Sequence, residues 1–232
     1  MPLDTLFLDA GGVLVFPNWE RVAETLGRHG VPADAGALAA AEPRVRRELD
    51  TADRVRATSD GSRGAAYFDR ILALAGVPRS PAAAAAITEL KTYHAGHNLW
   101  EHVPEDVVPA LRRFRDLGLR VAVVSNSNGT VRAKLARLGL LGFFEAVVDS
   151  TEERVEKPDP RIFAVALAQM EARPETTLHV GDLYHVDVVG ARAAGLRAAL
   201  LDPLDLYPDA DCLRVASLTA LAEWIEARGS SA

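Results

Sequence analysis

Leu6-Phe7-Leu8-Asp9-Ala10-Gly11-Gly12-Val13-Leu14 is the stretch whose reading decides the fold. Its first three residues are a short apolar run without polar alternation, which suits a strand buried on both faces, as in a parallel sheet covered by helices. The run stops at an acid followed by two glycines. A carboxylate at a strand end, with glycines leaving space beside it, can approach an electrophile closely and act as a nucleophile. Standing alone, the same pattern would be an aspartate in a turn, so the rest of the chain must decide.

Comparable runs recur late in the chain. Val121-Ala122-Val123-Val124 precedes Ser125, Ala146-Val147-Val148 precedes Asp149, Leu178-His179-Val180 precedes Gly181-Asp182, and Ala198-Ala199-Leu200-Leu201 precedes Asp202. Between them lie segments with helical spacing: Val107, Val108, Leu111, Phe114 and Leu117, then Val131, Leu135 and Leu138, then Ile162, Val165 and Leu167 after Pro160. Helices alternating with buried strands predict right-handed crossovers and an α/β, doubly wound, Rossmann-like parallel sheet. Ligands of such sheets sit beyond the carboxyl ends of the strands, where Asp9, Ser125 and Asp182 all fall.

Residues 17–98 read differently, with helical periodicity and no buried strand. Candidate helices span residues 19–29, 35–49, 62–75 and 81–94, with Gly30, Gly76 and Gly96 near their ends. The expected organisation is therefore an α/β core of residues 1–16 and 99–232 with an all-helical cap, 17–98, inserted after the first strand. The insertion carries 11 basic and 10 acidic residues and the remainder 15 and 22, so the insertion is the less acidic part.

Composition narrows the function classes. Of the 232 residues, 49% are apolar and 25% charged, the balance of an ordinary globular protein. The net charge of −6 disfavours nonspecific nucleic-acid binding, and no run nears the ~18 apolar residues of a membrane helix. The apolar amino terminus is interrupted by Asp4 and Asp9 and does not resemble a signal peptide. One cysteine, Cys212, excludes an internal disulfide framework, so a cytoplasmic location is expected. No pattern decides between a monomer and a homodimer.

Four separated patterns point to one chemistry: Asp9-Ala10-Gly11-Gly12, Ser125-Asn126, Lys157-Pro158, and Gly181-Asp182 followed by Asp187. A strand leading into a helix start points N–H donors at an anion, so Ser125 and the following backbone could hold a phosphate, though for this stretch alone a plain helix cap, with Asn126, Ser127 or Asn128 as alternatives, is the better reading. Lys157 stands among prolines that fix its loop and could aim a point charge at phosphate oxygens and at Asp9. If Asp9, Asp182 and Asp187 converge, three carboxylates face one lysine, and a bound cation would relieve their repulsion. Mg²⁺ fits, because it prefers oxygen ligands and accepts phosphate oxygens.

In order and context these patterns resemble the four motifs of the haloacid dehalogenase superfamily, whose members with this cap type insert a helical bundle between the first and second motifs. The resemblance implies a hydrolase in which Asp9 attacks the substrate, becomes a transient aspartyl ester, and works with Lys157. It assigns Ser125, Asn126 and Lys157 to a small phosphorylated substrate. It implies Mg²⁺ held by Asp9, Asp182 and the Gly11 carbonyl, with Asp187 nearby or linked through water.

One departure qualifies the phosphatase expectation. Most phosphatases of this superfamily carry a second aspartate two residues after the nucleophile, to protonate the leaving alcohol and later activate water; here that position is Gly11. Loss of a general acid–base group costs ~10²–10⁴ in rate. Three readings follow: a metal-dependent phosphatase that is slow or prefers acidic leaving groups, a 2-haloacid dehalogenase-like enzyme whose halide leaves without a proton, and a weakly active phosphate- and metal-binding regulatory protein. Asp182 argues against the second, since the resembling dehalogenases have a neutral residue there. His94 and His97 read as hinge or surface residues beside a helix break at Gly96. Arg44, Arg46, Arg47, Arg54 and Arg56, interspersed with acids, read as a salt-bridged helix face.

Overall fold

The computed structural model describes residues 2–229, with backbone only for residues 60–65 and 229. It divides into two compact units, residues 1–16 with 103–232, and residues 17–102.

In the first unit the aliphatic runs become strands because branched side chains fill both faces of a pleated layer. The strands in chain order are β1 (Thr5–Leu8), a two-residue β2 (Phe16–Pro17), β3 (Trp100–His102), β4 (Arg120–Ser125), β5 (Ala146–Asp149), β6 (Thr177–Gly181), β7 (Arg197–Leu201) and β8 (Leu213–Val215). Six form a parallel sheet in the order β5-β4-β1-β6-β7-β8, while β2 and β3 pair separately. The chain order reverses at β1, so the crevice of this α/β sheet opens at β1's carboxyl end. Phe7, Ala122, Val124 and Val148 on one face pack against Ile162, Phe163, Ala166 and Met170. Leu6 and Leu8, which the pleat turns to the other face, are equally buried. The edge strand β8 was not expected; its three residues are too short to carry a periodicity.

Apart from β3, which falls within it, the second unit is helical: α1 (Trp19–Arg28), α2 (Ala35–Leu49), α3 (Ala52–Ala57), α4 (Asp60–Leu74) and α5 (Pro81–His97). Asn18, Asp34 and Ser80 cap α1, α2 and α5 by accepting from the N–H groups of Arg21, Ala37 and Ala83. Their apolar stripes meet in a core of Val22, Leu26, Leu38, Val45, Ile71 and Leu90. Leu99 is buried in that core and accepts from Asn18 N at 3.0 Å. The unit therefore ends at His102 rather than at residue 98.

The expected helix break at Gly96 is wrong. Helix α5 runs on to His97 and stops at Asn98, whose φ is 64°. A glycine inside a helix costs only ~1 kcal/mol relative to alanine, and the stacking of His97 on Tyr93 one turn earlier, at 4.9 Å, spans the position. His94 accepts from Leu99 N at 3.1 Å and meets Trp100 edge-on. Two of these arginines pair as expected, Arg46 with Glu42 and Arg56 with Asp53.

The helices of the first unit are α6 (Val107–Asp116), α7 (Val131–Arg137), α8 (Ser150–Glu153), α9 (Pro160–Met170), α10 (Val189–Ala193) and α11 (Leu218–Gly229), with a wide π-type turn, Tyr184–Val188, leading into α10. No helix among the described residues is long and apolar enough to cross a membrane.

Candidate active site

Register places the site. Leu8 lies opposite Val123 of β4 and Val180 of β6, so Asp9 emerges where three parallel strands end. Its N–H still donates to Val180 O at 2.9 Å, and its Oδ1 accepts from Ala10 N at 2.7 Å. The chain then turns sharply: Leu14 N and Val15 N both donate to Ala10 O, and Gly12 N donates to Val15 O. Gly12 adopts φ 77°, which glycine tolerates best, whereas Gly11 is not among the residues with positive φ. The Gly11 carbonyl accepts no hydrogen bond among the described residues.

Lys157 is buried between two of these carboxylates, its Nζ 3.0 Å from Asp9 Oδ1 and 2.7 Å from Asp187 Oδ1. Burial disfavours its charge, but attraction to Asp187 and Asp9 outweighs that, so its pKa stands above the ordinary lysine value. Burial likewise opposes ionisation of Asp187, and Lys157 with His179 reverses it, holding that carboxyl below the usual range. Asp187 is reached through the π-type turn after β6. A Cβ at Gly181 would overlap its Cβ, Cγ and Oδ2, so only glycine lets the carboxylate lie against the strand.

Asp182 follows Gly181 and completes the cluster. One carboxylate oxygen from each of Asp9, Asp182 and Asp187 lies within 4.8 Å of the others. This all-oxygen donor set suits a hard divalent cation such as Mg²⁺.

Ser125 ends β4, buried, its hydroxyl making only a long 3.5 Å contact, to Asn126 O, among the described residues. Asn126 does something unexpected: its Nδ2 donates to Lys157 O at 3.0 Å and its Oδ1 accepts from Lys157 N at 2.8 Å. It straps the lysine loop to the end of β4 with both ends of its amide. The backbone cradle expected after Ser125 is also narrower. Ser127 N donates to Ser150 Oγ, and Gly129 N and Val131 N donate to Asp149, at 3.0, 3.2 and 3.4 Å. Helix α7 begins only at Val131, and Thr130 before it makes no side-chain capping bond.

A sequence profile described as haloacid dehalogenase-like hydrolase matches residues 3–195, most of the chain. The chain belongs to that family. A glyceraldehyde 3-phosphate phosphatase of Methanopyrus kandleri is 34% identical over 137 residues, 59% of this chain and 58% of that protein. The chain thus matches somewhat over half the length of the curated relatives it resembles. Among solved structures, the magnesium-bound HAD-hydrolase YfnB of Bacillus subtilis aligns with a TM-score of 0.71 at 16% identity, covering 97% of this chain and 99% of that one. A 2-haloacid dehalogenase of Pseudomonas syringae aligns at 0.60 and 23% identity, over 98% and 99%. These two likenesses establish the shared fold.

Within this haloacid dehalogenase-like chain, one site residue escaped the sequence reading. His179, fully buried in β6, places Nε2 3.1 Å from Asp187 Oδ1. The available signal was a lone imidazole inside the otherwise apolar run Leu178-His179-Val180. Burial pushes its pKa below the ordinary imidazole value.

Proposed function

We propose that the chain is a Mg²⁺-dependent phosphatase of a small phosphorylated metabolite, acting through an aspartyl-phosphate on Asp9 in a cytoplasmic setting. The observation that carries this reading is the gathering of Asp9, Asp182 and Asp187 oxygens within 4.8 Å, beside a buried lysine that touches two of the three residues. Each like-charge pair at 4 Å costs about 4 kcal/mol at an effective dielectric of 20. One ammonium cannot offset three carboxylates. Asp9, Asp182 and the Gly11 carbonyl would hold Mg²⁺, with Asp187 close by. Bound there, the ion would draw charge from the phosphate oxygens and lower the repulsion that the incoming anion meets.

In this reading Asp9 attacks phosphorus, the bond from phosphorus to the leaving oxygen breaks, and that oxygen takes a proton from solvent. Water then attacks the aspartyl-phosphate, releasing inorganic phosphate and restoring Asp9. Lys157 holds the nucleophile in place and opposes the charge that builds on the transferring group. Ser125, with its hydroxyl nearly uncommitted, contacts a phosphate oxygen, and Asn126 serves by keeping Lys157 in register. With Gly11 in place of an acid, the favoured substrates carry acidic leaving groups, such as acyl or aryl phosphates. The phosphatase name of the Methanopyrus relative agrees with the reaction class.

Gly11 would also permit a halide to leave. Asp182 opposes that alternative, because a 2-haloacid carboxylate would approach two further carboxylates beside Asp9. The test is a panel of p-nitrophenyl phosphate, acetyl phosphate, sugar phosphates, nucleotides and 2-haloacids, assayed with Mg²⁺ and with chelator. Phosphate release that vanishes in chelator and in Asp9→Asn is the expected result. Halide release without phosphate release would establish the dehalogenase reading. Binding of Mg²⁺ and phosphate with no turnover would make the chain a binding protein.

A further inference from the structure

His179 occupies the middle of β6 with its ring edge-on to Phe163, centroids 4.9 Å apart. Its Nε2 shares Asp187 Oδ1 with Lys157 Nζ, at 3.1 and 2.7 Å. Its Nδ1 is buried without a hydrogen-bond partner among the described residues. Together these facts assign the tautomer. A proton on Nδ1 would orphan a buried N–H and turn the Nε2 lone pair toward a carboxylate. With the proton on Nε2 the ring donates to Asp187, and only an acceptor goes unmet. An apolar side chain would fill this strand position with no orphaned atom at all, so packing alone gives no reason for a histidine.

We infer that His179 is a positioning residue that pins Asp187 as the partner of Lys157 and withholds it from direct ligation in the neighbouring cation cluster. The inference rests on the reading of Asp9 and Asp182 as metal-binding. Asp187 Oδ2 accepts from Leu183 N at 3.0 Å. With His179 and Lys157 on Oδ1, three of the carboxylate's roughly four acceptor sites are occupied. Neither oxygen can turn without breaking a bond, and Gly181 leaves room for this orientation. Asp187 nevertheless stands within 4.8 Å of the Asp9 and Asp182 oxygens. Loss of the imidazole N–H leaves Oδ1 with Lys157 alone and frees the carboxylate to rotate toward the cation. Ca²⁺ gains more from an added carboxylate than Mg²⁺, because it takes more oxygen ligands and tolerates irregular geometry.

The experiment is calorimetric titration of substrate-free wild type, His179→Phe and His179→Gln with Mg²⁺ and with Ca²⁺. Glutamine carries an N–H that reaches about as far as Nε2. Affinity for Ca²⁺ relative to Mg²⁺ is expected to rise about fivefold or more in His179→Phe and to stay within about twofold of wild type in His179→Gln. A purely structural histidine would lower the melting temperature without moving that ratio. A folded His179→Phe with the wild-type ratio overturns this inference alone. Wild type that binds neither cation overturns the metal reading as well. Should His179→Phe fail to fold, the side-chain ¹⁵N spectrum of the wild-type protein and the His179→Gln titration carry the test: a proton on Nδ1, or a wild-type-unlike ratio in folded His179→Gln, overturns the inference.

Discussion

Lys134 offers the most quantitative test of the electrostatics. It lies on α7, buried, and no hydrogen bond or ion pair holds its ammonium among the described residues. Burial lowers its pKa from 10.5 to about 8, despite attraction toward Asp9 and Asp149. At about 1.4 kcal/mol per pH unit, that difference corresponds to roughly 3 kcal/mol of lost stability at neutral pH. The sign follows from proton counts. Below pH 8 both folded and unfolded chains hold the proton, and the whole cost of burying the charge is present. Between 8 and 10.5 the unfolded chain binds more protons than the folded one, so stability rises with pH; above that window the cost is gone. Lys134→Met keeps the apolar stem and removes the charge. It should stabilise the protein by about 3 kcal/mol at pH 7 and by less than about 1 kcal/mol at pH 10. Urea denaturation at both pH values, in chelator so that no cation changes the field of Asp9, reads the difference. A variant no more stable than wild type at pH 7, or stabilised equally at both values, refutes the reasoning.

Gly11→Asp should raise turnover of alkyl phosphates by up to ~10²–10⁴ and that of p-nitrophenyl phosphate far less, because only a poor leaving group needs the proton; the backbone at Gly11, lacking a positive φ, does not bar the change. A folded, Mg²⁺-binding variant with no gain on any ester would favour the binding-protein reading. Gly181→Ala forces a Cβ into Asp187 and should cost about 1–3 kcal/mol in denaturant unfolding; an unchanged midpoint would contradict that contact. If residues 17–102 act as a closing cap, saturating Mg²⁺ with a phosphate analogue should slow hydrogen exchange at residues 16–18 and 97–100, and identical exchange with and without ligand would count against closure.

The order and type of the core elements could be read along the chain. Buried parallel strands announce themselves as unbroken aliphatic runs, and each of the five runs beginning at Leu6, Val121, Ala146, Leu178 and Ala198 became a strand of the sheet. The polar residues that follow those runs, among them Asp9, Ser125 and Asp182, pointed to the same sheet end, since parallel strands deliver their last residues to one side. Features too short or too local for periodicity stayed hidden, as with β8, α3 and the π-type turn that carries Asp187. The passage of α5 through Gly96 was hidden for a different reason: a glycine costs a helix only ~1 kcal/mol, and the stacking of His97 on Tyr93 one turn earlier spans the position. The division of labour inside the site was likewise invisible. Asn126 was read toward the ligand, yet both ends of its amide hold the Lys157 backbone. His179 looked like one more strand residue until the fold set it under Asp187. Sequence by itself determined which chemical groups stand at the strand ends, because strand burial and chain direction are local properties. Which of those groups hold one another was decided only in three dimensions, because a hydrogen bond between residues 126 and 157, or an ion pair between 157 and 187, has no signature along the chain until packing brings its partners within 3 Å.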